Sequence, residues 1–183
     1  KDMSTLKVGT IQDHANSNNA LLIDSSGRVT APANPKFSVS LGTTVSAADY
    51  TTTSNIGTDG YTVPLDTEDF DIGNCLSIAG TVATFTAPIT GYYQFNLSCL
   101  FQNATTATHV NIYFDVNGAL NSSNSDDDYR VITNPNGANY QALTNSALIY
   151  VPASHTVQPG MFVSGDTTIS IRKGTRFQGF LVP

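Results

Sequence analysis

Apolar residues recur every second position over most of the chain. Phe37, Val39 and Leu41 alternate with Ser38 and Ser40. Tyr93, Phe95, Leu97, Cys99 and Phe101 alternate with Gln94, Asn96 and Ser98, and Val110, Ile112, Phe114 and Val116 alternate with Asn111 and Asp115. Period two is the signature of a half-buried strand, with one side toward a core and the other toward water. Val82 to Phe85, Val131-Ile132, Ala147 to Val151, Met161 to Val163, Ile169 with Ile171, and Phe177 to Val182 extend the series. Eight to ten short strands are expected, broken by Gly, Asn and Pro turns, which points to a β-sandwich or jelly roll. Asn117-Gly118 is a hairpin signal, and the strand ending there is the expected partner of Tyr93–Phe101. Asn111 and Asp115 are expected on its watered side.

Two segments depart from alternation. Ala147-Leu148-Ile149-Tyr150-Val151 and Phe177-Gln178-Gly179-Phe180-Leu181-Val182 are apolar on both sides. One side of a sandwich strand meets the core, so a second apolar side needs a second cover. Tyr92, Leu148, Tyr150, Phe180 and Val182 are therefore the candidate residues of a subunit interface.

Residues 1–35 have a different texture. Leu6, Val8 and Ile11 form one short apolar series and Leu21, Leu22 and Ile23 another, before the turn Asp24-Ser-Ser-Gly27 and a Pro-punctuated linker ending at Pro35. So short a segment cannot build its own core and must lean on copies of itself or on another protein. The expected division is an attachment segment over 1–35 and a globular head over 36–183.

Composition narrows the function. Of 183 residues only 12% are charged, and Ser, Thr and Asn fill nearly a third of the positions. Eight Lys and Arg against 14 Asp and Glu leave a formal charge of −6, which repels phosphate backbones and argues against nucleic-acid binding. No apolar run approaches a membrane span and no secretory leader is expected. His14, His109 and His155 lie far apart, and no nucleophile elbow, phosphate loop or Cys–His pair is present, so no enzyme is expected. Cys99 falls on an apolar strand side and reads as a buried free thiol. Asp126, Asp127 and Asp128 form the densest acidic cluster. Carboxylates suit Ca²⁺, but the spacing of a calcium loop is lacking, so these residues read first as a solvated loop and only secondarily as a weak calcium site, with no cofactor otherwise. The loops around 49–58, 103–108 and 121–139 carry short polar side chains suited to a glycan or protein partner.

Phe85-Thr-Ala-Pro-Ile-Thr-Gly91-Tyr-Tyr93-Gln-Phe95 resembles the central motif of the complement C1q globular-head family, relatives of the tumour necrosis factor fold. Lys36-Phe-Ser-Val39, Asn117-Gly118, Ser146 to Pro152 and the closing Phe177-Gln-Gly-Phe-Leu181 follow in that family's order, while Leu97 stands where the family prefers Phe or Tyr. The resemblance implies a ten-stranded, all-β jelly roll that assembles as a homotrimer around an apolar axis. Met3 to Gln12 and Ala20 to Val29 resemble the openings of virion structural proteins of tailed phages. That likeness makes Met3 the expected start. It implies a virion location, on capsid or tail, with the first segment binding other virion proteins. A tail-fibre tip binding host-surface glycan or protein is the leading expectation. A capsid decoration or cement protein is the alternative, favoured by the short chain, and a secreted C1q-like recognition module is the third.

Overall fold

A computed structural model describes residues 8–12, 19–42, 49–51, 61–102, 107–117, 129–134, 140–164 and 169–183. They form two compact units, Lys1–Asn34 and Pro35–Pro183.

The first unit is a small antiparallel sheet in the order β1 (Thr10–Gln12), β2 (Asn19–Ile23), β3 (Val29–Thr30). Its β2–β3 turn is held by Asp24. The Asp24 carboxylate accepts from the backbone N–H groups of Ser26 and Arg28 at 2.8 and 3.0 Å and from Arg28 Nε at 2.6 Å. Gly27 takes φ 77°, which the turn requires and side chains resist.

The second unit, the head, contains β4 (Lys36–Ser40), β5 (Asp49–Thr51), β6 (Tyr61–Thr62), β7 (Thr67–Ile72), β8 (Leu76–Ala79), β9 (Val82–Thr86), β10 (Gly91–Gln102), β11 (His109–Val116), β12 (Arg130–Thr133), β13 (Tyr140–Val151), β14 (Thr156–Ser164), β15 (Ser170–Arg172) and β16 (Arg176–Leu181). One sheet runs β5-β15-β10-β16-β4-β7, with β13 on the other edge of β10. The opposing sheet runs β12-β11-β14-β9-β8, with β6 on β14. Every described pairing is antiparallel. Sequence neighbours repeatedly lie in opposite sheets, which makes the sandwich a jelly roll. No helix among the described residues is long and apolar enough to cross a membrane.

The alternating residues of β10 all point inward: Tyr93, Phe95, Leu97, Cys99 and Phe101 are each at most 1% exposed. They meet Val110, Ile112 and Phe114 of the facing sheet, which are fully buried. Phe37, Phe85, Phe95 and Phe177 form an aromatic cluster with ring centroids 4.9–6.4 Å apart. The glycines of the Phe-Gly-Tyr-Phe and closing motifs are spacers in this packing. A Cβ on Gly179 would come within 2.6 Å of Phe37 and 2.8 Å of Phe95, and one on Gly91 within 2.7 Å of Leu181. Tyr93 is buried up to its hydroxyl, which donates to the Ile89 carbonyl at 2.7 Å. Asn145 ties the sheets together through hydrogen bonds from Nδ2 to the carbonyls of Tyr129 and Ile112.

Two expectations need correction. β11 is not the partner of β10: β10 pairs with β13, β15 and β16, and β11 lies in the opposite sheet beside β12 and β14. Asn117 has the positive φ of a turn (67°), while Gly118 lies outside the described residues. The next described strand is β12, which pairs with β11 from Val110–Thr133 to Tyr113–Arg130. Asn111 and Asp115 are 1% exposed rather than solvated. Larger neighbours on the same side shield them. His109 stacks on Phe162, and the Tyr113 ring lies over Gly160, where a Cβ would strike it.

Candidate interaction surface

The outer side of the β13-β10-β16-β4-β7 sheet carries the residues singled out for an interface. Tyr92 is registered with Tyr150, and Gln94 is flanked by Leu148 on one side and Phe180 on the other. The Val182 N–H donates to the Tyr92 carbonyl at 2.9 Å, which carries the ladder one residue beyond β16. Partners across an antiparallel ladder share a face, so Tyr92, Leu148, Tyr150, Phe180 and Val182 form one contiguous patch. Their exposures are 56, 52, 53, 45 and 36%. Lys36 stands opposite Phe180 at the margin of this patch, and Ile72 stands opposite Lys36.

Beside the apolar end lies a hydrogen-bonded band. Gln94 Nε2 donates to Ser146 Oγ at 2.9 Å, and that hydroxyl donates to Asn96 Oδ1 at 2.9 Å. Further across, Gln178 Nε2 donates to Ser38 Oγ, and Ser38 and Ser40 both donate to the Asp69 carboxylate, at 2.7 and 3.3 Å. Arg176 Nε stands 3.4 Å from the same carboxylate. This arrangement depends on a register shift in the β4–β7 ladder: Ser38 pairs with Phe70 and Val39 with Glu68, so Asp69 is the extra residue of a bulge. The far end of the face carries Tyr140, 59% exposed, with the Arg172 guanidinium 5.3 Å from its ring centre and bonded to Gln102. Sequence reasoning missed Tyr140 and Phe70, which is 44% exposed, because Phe70 stands between acidic residues and Tyr140 between amide side chains.

Of the candidate attachment residues, Ile11, Leu21, Leu22 and Ile23 lie in the small sheet and Val8 just precedes it. Val8 and Ile11 are exposed, while Leu21, Leu22 and Ile23 are half-buried. Leu6 and Asp126 to Asp128 fall outside the described residues, as do most of the three polar loops. Among the described residues no group of three His, Cys, Asp or Glu side chains is placed to hold a metal. Ser98 and Thr144 face solvent, registered with each other across the β10–β13 ladder. Cys75 and Cys99 are free and buried. Burial pushes both thiols up to about 12, and for Cys75 the nearby Asp71 carboxylate, 3.1 Å from Sγ, adds to the effect. Neither is an activated nucleophile.

The strand order, the aromatic core and the glycine spacers together define a C1q/TNF-like jelly roll. The globular domain of zebrafish complement 1qA superposes with a TM-score of 0.53 at 16% identity, covering 82% of this chain and 98% of that one. Murine APRIL superposes with TM-scores of 0.55 and 0.53 in two structures, at 13 and 11% identity, covering 82 and 81% of this chain and 99% of its own. At such identities the likeness is one of fold. No family model and no curated protein sequence matches the chain.

Proposed function

We propose that the chain is a non-enzymatic structural or recognition module that works as a homotrimer, carried on a phage particle as a surface appendage such as a tail-fibre tip. The observation that carries the trimer is the contiguous patch Tyr92, Leu148, Tyr150, Phe180 and Val182, on a sheet side that a lone sandwich leaves wet. The fold supports the reading, since the C1q/TNF-like class it resembles consists of self-associating modules that bind ligands. The virion role is supported by the sequence likeness of Met3 to Gln12 and Ala20 to Val29 to phage structural proteins. In this reading residues 1–35 attach the protein to other virion proteins. The head's loops then meet a host glycan or protein, and three linked copies turn weak contacts into avidity.

Labelling of intact particles with an antibody to the head tests the location. Label at the tail tips is the expected result. Label spread over the capsid surface replaces the fibre tip with a capsid decoration protein, and a secreted product with no labelled particle contradicts the virion role altogether.

A further inference from the structure

Among the described residues, one side of the small N-terminal sheet is apolar. Its register pairs Ile11 with Leu21 and Ile23 with Val29, so these four side chains share a face, while Thr10, Leu22 and Thr30 take the other. Gly9 lies on the apolar side opposite Ile23, whose N–H it accepts at 2.9 Å, and a Cβ there would meet nothing within 4 Å. Ile11 is 47% and Val29 60% exposed. Strands of three, five and two residues make a sheet too small to be stable in water on its own backbone bonds. Among the described residues no charged side chain lies on this side, and the nearby pair Asp24–Arg28 neutralises itself in the turn.

We propose that this face is covered by the same face of two further copies of the chain, so that residues 8–12 and 19–30 form a second trimer contact. The inference rests on the trimeric reading of the head. Its occupant follows from the tether. β3 ends at Thr30 and β4 begins at Lys36, so only residues 31–35 join the two units. Pro35 is fastened to the head by the Leu181 N–H on its carbonyl at 2.9 Å, and Lys36 is registered with Phe180 in the apolar patch. Heads joined through that patch bring three such tethers to one place. A short tether holds its cargo at an effective concentration of about millimolar, where an uncharged apolar face meets its own copies before a dilute stranger. The side bearing Leu22, Thr10 and Thr30 then remains for attachment to other virion proteins.

Disulfide trapping in the 183-residue chain tests this. Val29→Cys, oxidised with copper phenanthroline, is expected to shift most of the monomer band to a reducible covalent dimer. Thr30→Cys, on the opposite side, is expected to leave the chains largely separate. The native Cys75 and Cys99, 1 and 0% exposed, do not compete. Ile11→Asp is expected to speed amide exchange across 19–23 while leaving the head protected and the mass trimeric. A trimer without the Val29→Cys cross-link, with equal trapping at Thr30→Cys, or with amide exchange indifferent to Ile11→Asp overturns the second contact and leaves the head trimer standing. A monomeric mass overturns both.

Discussion

Tyr92 and Tyr150 face each other across the β10–β13 ladder with ring centroids 5.3 Å apart and planes tilted by 59°, yet each keeps more than half of its surface in solvent. A tilted aromatic pair is worth more when water is excluded from it. With Leu148, Phe180 and Val182 around it, the pair forms the centre of an apolar end on a sheet that is otherwise hydrogen-bonded side chain to side chain. The apolar end offers area for burial in the proposed trimer, while the polar band around Gln94, Ser146 and Asp69 is hydrogen-bonded within the sheet.

A charge in that apolar end should separate the subunits. Tyr150→Arg leaves the core untouched, since Tyr150 points away from it. Burying an uncompensated charge costs about 3–5 kcal/mol, so the variant is expected to sediment as a monomer at micromolar concentration while keeping the wild-type far-UV circular dichroism. A wild-type mass would show that the patch lies outside the contact.

Gly179→Ala should destabilise each head. The new methyl would meet Phe37 and Phe95 at 2.6 and 2.8 Å in the middle of the aromatic cluster, and overpacking of this kind costs about 1–3 kcal/mol. Urea titration is expected to show a lower midpoint with an unchanged slope.

The two thiols should be silent in the folded protein. A thiol reagent at pH 8 is expected to modify Cys75 and Cys99 only after denaturation. Their folded pKa values, raised from 9.0 to about 12, favour the protonated form in the fold. Their contribution to stability is therefore complete below pH 9 and is lost as pH climbs toward 12. Denaturant midpoints measured across that window should fall.

Asp24 should titrate below its ordinary 3.8, because the Arg28 backbone and side chain and the Ser26 N–H all favour its ionised form. The β2–β3 turn gains from the carboxylate above the unfolded pKa and loses that gain as pH falls through the lower folded value. The amide resonances of Ser26 and Arg28 are expected to move together with a midpoint below 3.8.

Much of the fold was legible because alternation reports which side of a strand faces the core. Tyr93, Phe95, Leu97, Cys99 and Phe101 read as one buried row and are one. Alternation does not report which strand lies alongside, so it does not distinguish β11 from β13, which holds the place beside β10. β7 is hidden in the sequence because half of Thr67-Glu-Asp-Phe-Asp-Ile72 is acidic and its bulge breaks the period. Asn111 and Asp115 misled for a related reason: a polar residue marks the outer side of a strand, but the height of its neighbours decides whether water reaches it. The exposed patch was legible where both sides of a strand were apolar, as at Leu148 and Phe180. Tyr140 stood alone in a polar stretch and gave no such signal.

The most direct measurement is the solution mass of the 183-residue chain by light scattering at micromolar concentration. Three chains of 19.4 kDa per particle is the expected value, converted to one chain by Tyr150→Arg. A wild-type protein that stays at 19.4 kDa, with Tyr92, Leu148, Tyr150 and Phe180 wet in solution, would contradict the account.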